Sequence, residues 1–307
     1  MKILHLSDLH FCSAYKRENI IKTKKILRKA VQQSFDHLVI TGDISDNSKV
    51  KDYEMLKGML KTYNLYDSKK TSIVIGNHDI FGGVQTAFDL INFPNRCRAT
   101  NYKEKVYEFY DSFKELFDNA KYLSKDSPFP FIKKVENIVF IGINSILKYS
   151  RIRNPFASIG KISNQQLFDV SKEISNKKYD EMTKILLVHH HFYKNKEQAH
   201  SSNSTWNKIE SYTLKLRGKK KVFRFLNDNK INLVLHGHSH ENREYQRKGI
   251  QFLNAGASID NFSKDAFYYM IELNVNEFNF ELHRLNPLKK EAIQKENEII
   301  GLPEFAK

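Results

Sequence analysis

Two cysteines, Cys12 and Cys97, stand among 307 residues. So few thiols exclude a disulfide framework, and their spacing fits no zinc knuckle. Cys12 reads as a small buried filler. Proline (six) and glycine (twelve) are also sparse, while 40% of the residues are hydrophobic. Collagen-like and Pro/Gly-rich disordered polymers are thereby excluded, and the chain can bury a sizeable core without covalent staples. Its length suits two domains or one large one. No apolar run approaches membrane-spanning length, and the opening MKILHLSDLHF meets Asp8 and His10 before a signal-peptide apolar stretch could form. These absences predict a soluble, cytoplasmic protein without a membrane partner. Internal repeats and low-complexity segments are lacking too.

Acidic residues are in deficit: 35 Asp plus Glu face 50 Lys plus Arg, for a net charge of +15. Such an excess draws polyanions, nucleic acid among them. Most of the cations are spread along the chain as solubilising surface. The exception is a cluster of Lys215, Arg217, Lys219, Lys220, Lys221 and Arg224, which keeps nucleic acid as an alternative partner.

What is present is a series of short apolar, β-branched runs. They predict strands at Ile3–Leu6, Leu38–Thr41, Ser72–Ile75, Ile138–Asn144, Lys184–Val188, Leu233–Leu235, Gln251–Asn254, Phe267–Leu273 and Phe278–Leu282. Helical periodicity lies between many of them, over Ile20 to Ala30, Tyr53 to Tyr63 and around Phe223 to Leu226. Ser163 and Gln166 have capping-box spacing and predict a helix running to about Ile174. Alternating strands and helices predict an α/β fold, with the last three strands added antiparallel. Two stretches interrupt the pattern. About 93–135 carries Val106, Phe109, Tyr110, Phe113 and Phe117 at helical spacing and predicts an inserted helix packed on the body. About 192–218 is polar, holds Trp206 and predicts a substrate-facing loop. The domain so outlined covers 1–285, and 286–307 is a charged tail.

Polar clusters of one chemical kind follow five of the strands: Asp8-Leu9-His10; Gly42-Asp43 with Asp46; Gly76-Asn77-His78-Asp79; His189, His190 and His191; and His236, Gly237, His238, Ser239 and His240. The carboxyl ends of strands in an α/β sheet are where ligands bind. Each cluster alone reads as an ordinary turn, cap or metal-sticky patch. Together they put most of the chain's twelve histidines beside Asp and Asn at strand ends, which predicts one convergent site. Carboxylate, imidazole and amide donors suit Mn, Fe or Zn, not a thiolate-bound metal. Strand alternation places Leu186, Val188 and His190 on one face, so His190 is the expected metal ligand of its run, with His189 the fallback one residue away.

The segments DLH (8–10), GDISD (42–46), GNHD (76–79), the His run (189–191) and GHSH (237–240) resemble, in order and spacing, the five motifs of the calcineurin-like metallophosphoesterases. G-x-I-S-x-x-Q-L at 160–167 and NAGAS at 254–258 are similar to the bacterial cyclic-nucleotide phosphodiesterase branch. In one place the chain departs from the family: Phe192 stands where a proline commonly follows the fourth motif's ligand histidine, and counting back from it again selects His190. The resemblance implies a four-layer α/β/β/α sandwich with mixed sheets and two divalent or mixed-valence ions (Mn, Fe or Zn). It implies Asp8, His10, Asp43 and His240 on one ion and Asp43, Asn77, His190 and His238 on the other, with Asp43 bridging. A bridging hydroxide would attack phosphorus in line. His78 would act beside the metals as general acid or phosphoryl stabiliser, with Asp79 and Asp46 orienting the histidines. The expected activity is phosphodiester hydrolysis, of nucleotides among others. The alternatives are a nuclease-like member and, in a different class, a non-catalytic scaffold that keeps the fold.

Overall fold

The computed structural model describes residues 1–84, 87–193, 215–261, 265–274 and 277–286. The apolar runs assemble into two mixed sheets. The first has the order β14-β13-β1-β2-β3, from β1 (Lys2–Leu6), β2 (His37–Ile40), β3 (Thr71–Ile73), β13 (Ala266–Asn274) and β14 (Glu277–Leu285). Strands β1, β2 and β3 run parallel; β13 and β14 join antiparallel. The second sheet has the order β11-β12-β10-β8-β6-β5-β4, from β4 (Ala120–Tyr122), β5 (Phe131–Val135), β6 (Ile138–Gly142), β8 (Thr183–Leu187), β10 (Leu233–His236), β11 (Asn242–Arg247) and β12 (Ile250–Ala255). Its centre, β6-β8-β10-β12, is parallel. A short parallel pair, β7 (Gly160–Lys161) with β9 (Leu216–Arg217), stands apart from both sheets.

Residues alternate between two cores, as the period of a strand requires. Ile185 and Leu187 of β8, and Leu233 and Leu235 of β10, face the first sheet, in a core shared with α1 (Arg17–Gln32) and α2 (Val50–Thr62). Leu186, Val188 and Val234 face the other way, onto α6 (Asn164–Ile174) and α7 (Lys219–Asp228). The sheets meet directly: the His37 ring stacks on Phe140 at 4.5 Å. The layers are therefore helix, sheet, sheet, helix. Ser163 caps α6 by accepting from the Gln166 N–H at 3.2 Å. The Gln166 amide, instead of closing the box, bonds the backbone of Asn144.

Two expectations are corrected. The segment about 93–135 is not simply an inserted helix. It contains the end of α4 (Ala87–Ala99), then α5 (Tyr102–Ser112), and after them β4 and β5, which extend the second sheet. Aromatic helical spacing hid β5, whose FIKKV sequence carries a buried lysine, Lys133. Strand β12 is parallel to β10, not antiparallel, because the polar strand β11 intervenes and reverses the chain. No apolar alternation marks NREYQR as a strand. The short pair β7 and β9 was likewise not foreseen. Most of the loop about 192–218, with Trp206, and nearly all of the tail 286–307 lie outside the described residues. Among the described residues no helix is long and apolar enough to cross a membrane.

Candidate metal centre

The loops leaving β1, β2, β3, β8 and β10 converge at the carboxyl-terminal edge where the two sheets meet. Their backbone is strained: Asp8, His10, Asp43, His238 and His240 all have positive φ, between 45° and 78°. Left-handed conformations in non-glycine residues cost roughly 1–3 kcal/mol each and persist where surrounding structure holds them. Close approach also demands glycine. A Cβ on Gly237 would lie 2.0 Å from Ser7 Oγ and 2.2 Å from Asp8 Oδ2; one on Gly76 would lie 2.1 Å from Asp43 Oδ1.

Two groups of donors result, Asp8–His10–His240 and Asp43–His189–His238. In the first, the His10 Nδ1–H donates to Asp46 Oδ1 (3.1 Å), and the His240 Nδ1–H to the Asp260 carbonyl (3.0 Å). His10 Nε2 is buried with no hydrogen bond, 3.7 Å from Asp8 Oδ1 and 3.8 Å from Asp43 Oδ2. In the second, the His189 Nδ1–H donates to the Thr41 carbonyl (2.8 Å), and the His238 Nε2–H to the Ser158 carbonyl (3.0 Å). The inward nitrogens, His189 Nε2 and His238 Nδ1, are 3.1 Å apart. Asn77 Oδ1 stands 3.0 Å and Asp43 Oδ2 3.2 Å from His189 Nε2. Asp43 thus sits between the groups, its other oxygen taking the His78 backbone N–H at 2.8 Å.

His190 is not in either group. Its Nδ1 accepts from Ser145 Oγ (2.8 Å) and its Nε2–H donates to Ser158 O (3.2 Å), so both ring nitrogens are used. Burial, with the charge of His189 beside it, pushes it down to about 3. His236 is likewise engaged, with the Tyr245 hydroxyl at 2.7 Å. His191 is buried and stacks on Tyr193.

His78 opens α3 (His78–Phe81) and is 23% exposed at its side chain, with Nδ1–H donating to the Asp46 carbonyl at 3.3 Å. Asp46 therefore contacts both His10 and His78. Asp79 does something else. Its carboxylate takes the Ser45 and Gly76 backbone N–H groups, each at 2.9 Å, and so ties the loop bearing Asp43 to the loop bearing Asn77. Sequence reasoning missed the carbonyls of Thr41, Ser158 and Asp260 that fix the imidazoles. Every residue carries a carbonyl, so no residue type could have signalled them.

Electrostatics favour a bound cation. Burial alone raises the Asp43 carboxyl, but His189, His78 and His10 hold it well below the usual range. Burial alone lowers His189, yet Asp43 and Asp8 pull it up to about 9. With Nδ1–H committed to Thr41, Nε2 faces three acceptors and needs a proton or a metal ion between them. The same holds of His10 Nε2 between two carboxylates. The donor set thus fits a pair of metal ions. A third grouping, His10–Asp46–His78, does not: the Lys16 ammonium already occupies Asp46 Oδ1 at 3.0 Å.

Residues 1–242 match the family model of the calcineurin-like phosphoesterases. A curated relative from Ruthia magnifica subsp. Calyptogena magnifica, described as a "probable cyclic nucleotide phosphodiesterase", is 23% identical over 246 residues, covering 80% of this chain and 79% of its own. Among solved structures, a dimetal phosphatase from Danio rerio superposes with a TM-score of 0.61 at 11% identity, over 93% of this chain and 98% of that one. A purple acid phosphatase from yellow lupin gives 0.55 at 12% identity, over 92% and 51%.

Proposed function

The chain belongs to the calcineurin-like phosphoesterase family, and on that premise we propose that it is a phosphodiesterase of nucleotide-sized substrates, cyclic nucleotides included. Asp8, His10, Asp43 and His240 would hold one ion, and Asp43, Asn77, His189 and His238 the other. One observation carries this reading: four imidazoles each have one nitrogen anchored on an oxygen acceptor, which leaves the other for the carboxylates between them. That arrangement fixes tautomer and ring orientation for metal binding. When bound, the ions supply charge neutralisation and a water acidic enough to serve as nucleophile near neutral pH.

The chain's own residues do the rest. Asp43, between the two groups, would offset part of the charge of both ions, and Asn77 would add a donor without adding charge, which would leave the site attractive to a phosphoester anion. His78, partly exposed beside Asp43, would protonate the leaving oxygen or stabilise the phosphoryl oxygens. The intact donor set speaks against a scaffold that has lost its chemistry. The relative from Ruthia magnifica supports the cyclic-nucleotide assignment.

A nuclease-like reading has one observation of its own: Lys220, Lys221 and Arg224 are exposed on α7. The test is the Mn-loaded protein assayed against bis-p-nitrophenyl phosphate, cyclic nucleotides, and single- and double-stranded DNA and RNA. Turnover of cyclic nucleotides with a shallow salt dependence is the expected result. Selective cleavage of polymer, with binding that falls steeply as salt rises, would establish the nuclease instead.

A further inference from the structure

Behind the two imidazoles on the Asp8 side lies a cation that belongs to none of the five motifs. Lys16 ends the loop before α1, and its side chain is 22% exposed. Its ammonium donates to Asp46 Oδ1 at 3.0 Å and to Asp260 Oδ2 at 2.7 Å. Those two residues hold the imidazoles: Asp46 Oδ1 accepts from His10 Nδ1, and the Asp260 carbonyl accepts from His240 Nδ1. The two rings lie nearly parallel, 17° apart with centroids at 5.1 Å. Lys16 therefore closes a ring of contacts, His10–Asp46–Lys16–Asp260–His240, around the back of one donor group. The contacts of the other group run to Thr41, Ser158 and Asn77 and bypass it.

We propose that Lys16 is a positioning residue for one of the two metal ions, the one held by Asp8, His10 and His240. Without the ammonium, Asp260, which is one-third exposed at its side chain, loses its tie to Asp46, and the carbonyl holding His240 loses its fixed place. Asp46 stays anchored by the Tyr15 hydroxyl at 2.8 Å, so the effect falls on the geometry between the two rings and not on folding of the site as a whole. Loss of an outer partner of a metal-binding histidine typically weakens metal affinity by about 10–100-fold.

This inference rests on the two-metal reading above, and the experiment separates the two. Purified wild type, Lys16→Met, Lys16→Arg and the exposed-lysine control Lys29→Met are stripped with chelator and titrated with Mn²⁺ and Co²⁺. Stoichiometry is read by elemental analysis, stepwise affinity by calorimetry, Co²⁺ geometry by visible absorption, and fold by circular dichroism. In Lys16→Met one binding step should weaken by about 10–100-fold while the other stays unchanged, with an altered Co²⁺ spectrum. Arginine, which can span both carboxylates, should recover much of the loss, and Lys29→Met should match wild type. Two unaltered steps in Lys16→Met overturn the proposal alone, as does equal weakening of both. A wild type that binds fewer than two ions overturns the two-metal reading and this inference with it.

Discussion

Asp43 and His189 place a carboxylate oxygen and an imidazole nitrogen 3.2 Å apart across the junction of the two sheets, while His190, one residue on, turns both of its nitrogens to Ser145 and Ser158. The expected consequence is asymmetric. His189→Ala should lose one of two bound ions, and His190→Ala and His191→Ala should retain both. Metal stoichiometry on the three variants decides the register; loss confined to His190→Ala would reverse the assignment.

Asp43 Oδ2 lies 3.2 Å from His189 Nε2 in one group and 3.8 Å from His10 Nε2 in the other, where the proposed bridge between the ions would lie. Asp43→Asn should therefore cost more activity than any change at Asp8, Asn77 or His240, because weakening one bridging carboxylate disturbs both ions. The measurement is metal content together with turnover. Two tightly held ions and near-normal turnover in Asp43→Asn would refute the bridging role.

The choice between His189 and His190 shows where the sequence stops being legible. Alternation along β8 is real: Ile185 and Leu187 face one core, Leu186 and Val188 the other. His190 does continue the Leu186–Val188 face, but that face looks onto α6 and α7, and the site lies on the side of the first sheet. A central parallel strand is apolar on both faces, so LLV before three histidines cannot say which face meets the carboxylates. The motifs were readable because strand ends, glycines and rare residue types carry them. Edge strands β4 and β11 were not, since an edge strand needs no buried alternation. Asp79 follows His78 in sequence, yet its carboxylate meets the backbone N–H groups of Ser45 and Gly76, because adjacency says nothing of where a carboxylate points.

For His78, chemistry and metal binding should separate. His78→Ala should keep two ions and its fold. On a natural diester, whose alkoxide leaving group needs a proton, the rate should fall about 10²–10⁴-fold. On bis-p-nitrophenyl phosphate, whose nitrophenolate leaves unaided, the loss should be at least about tenfold smaller, a difference of about 1.4 kcal/mol. Equal losses on both would assign His78 to charge stabilisation, and loss of an ion would make it a ligand.

Lys133, on β5 between the sheets, donates to the carbonyls of Thr71 (2.7 Å) and Leu116 (2.6 Å). Burial pushes its ammonium down to about 7, against the pull of Asp67 and Asp118. Between pH 7 and about 10.4 the unfolded chain then binds a proton that the folded one does not, so this residue's contribution to stability improves as pH rises through that window and is worst below 7. The slope is at most about 1.4 kcal/mol per pH unit. Urea melts of wild type and Lys133→Met from pH 7 to 9.5 should give a difference that grows with pH in favour of wild type. A difference that does not change with pH would mean that Lys133 stays charged in the fold.

The donors come from the ends of β1, β2 and β3 in one sheet and of β8 and β10 in the other, so neither sheet carries a complete site. Ion binding is consequently linked to the docking of the sheets, not to the order of any single loop. By mass action, an ion present at a hundredfold its dissociation constant should add about 2.7 kcal/mol to the stability of everything that must dock before it can bind. Chelation should then lower one cooperative melting transition in which both cores unfold together. It should also raise amide exchange in β2 and β8 alike, and not merely loosen the rim of the cleft.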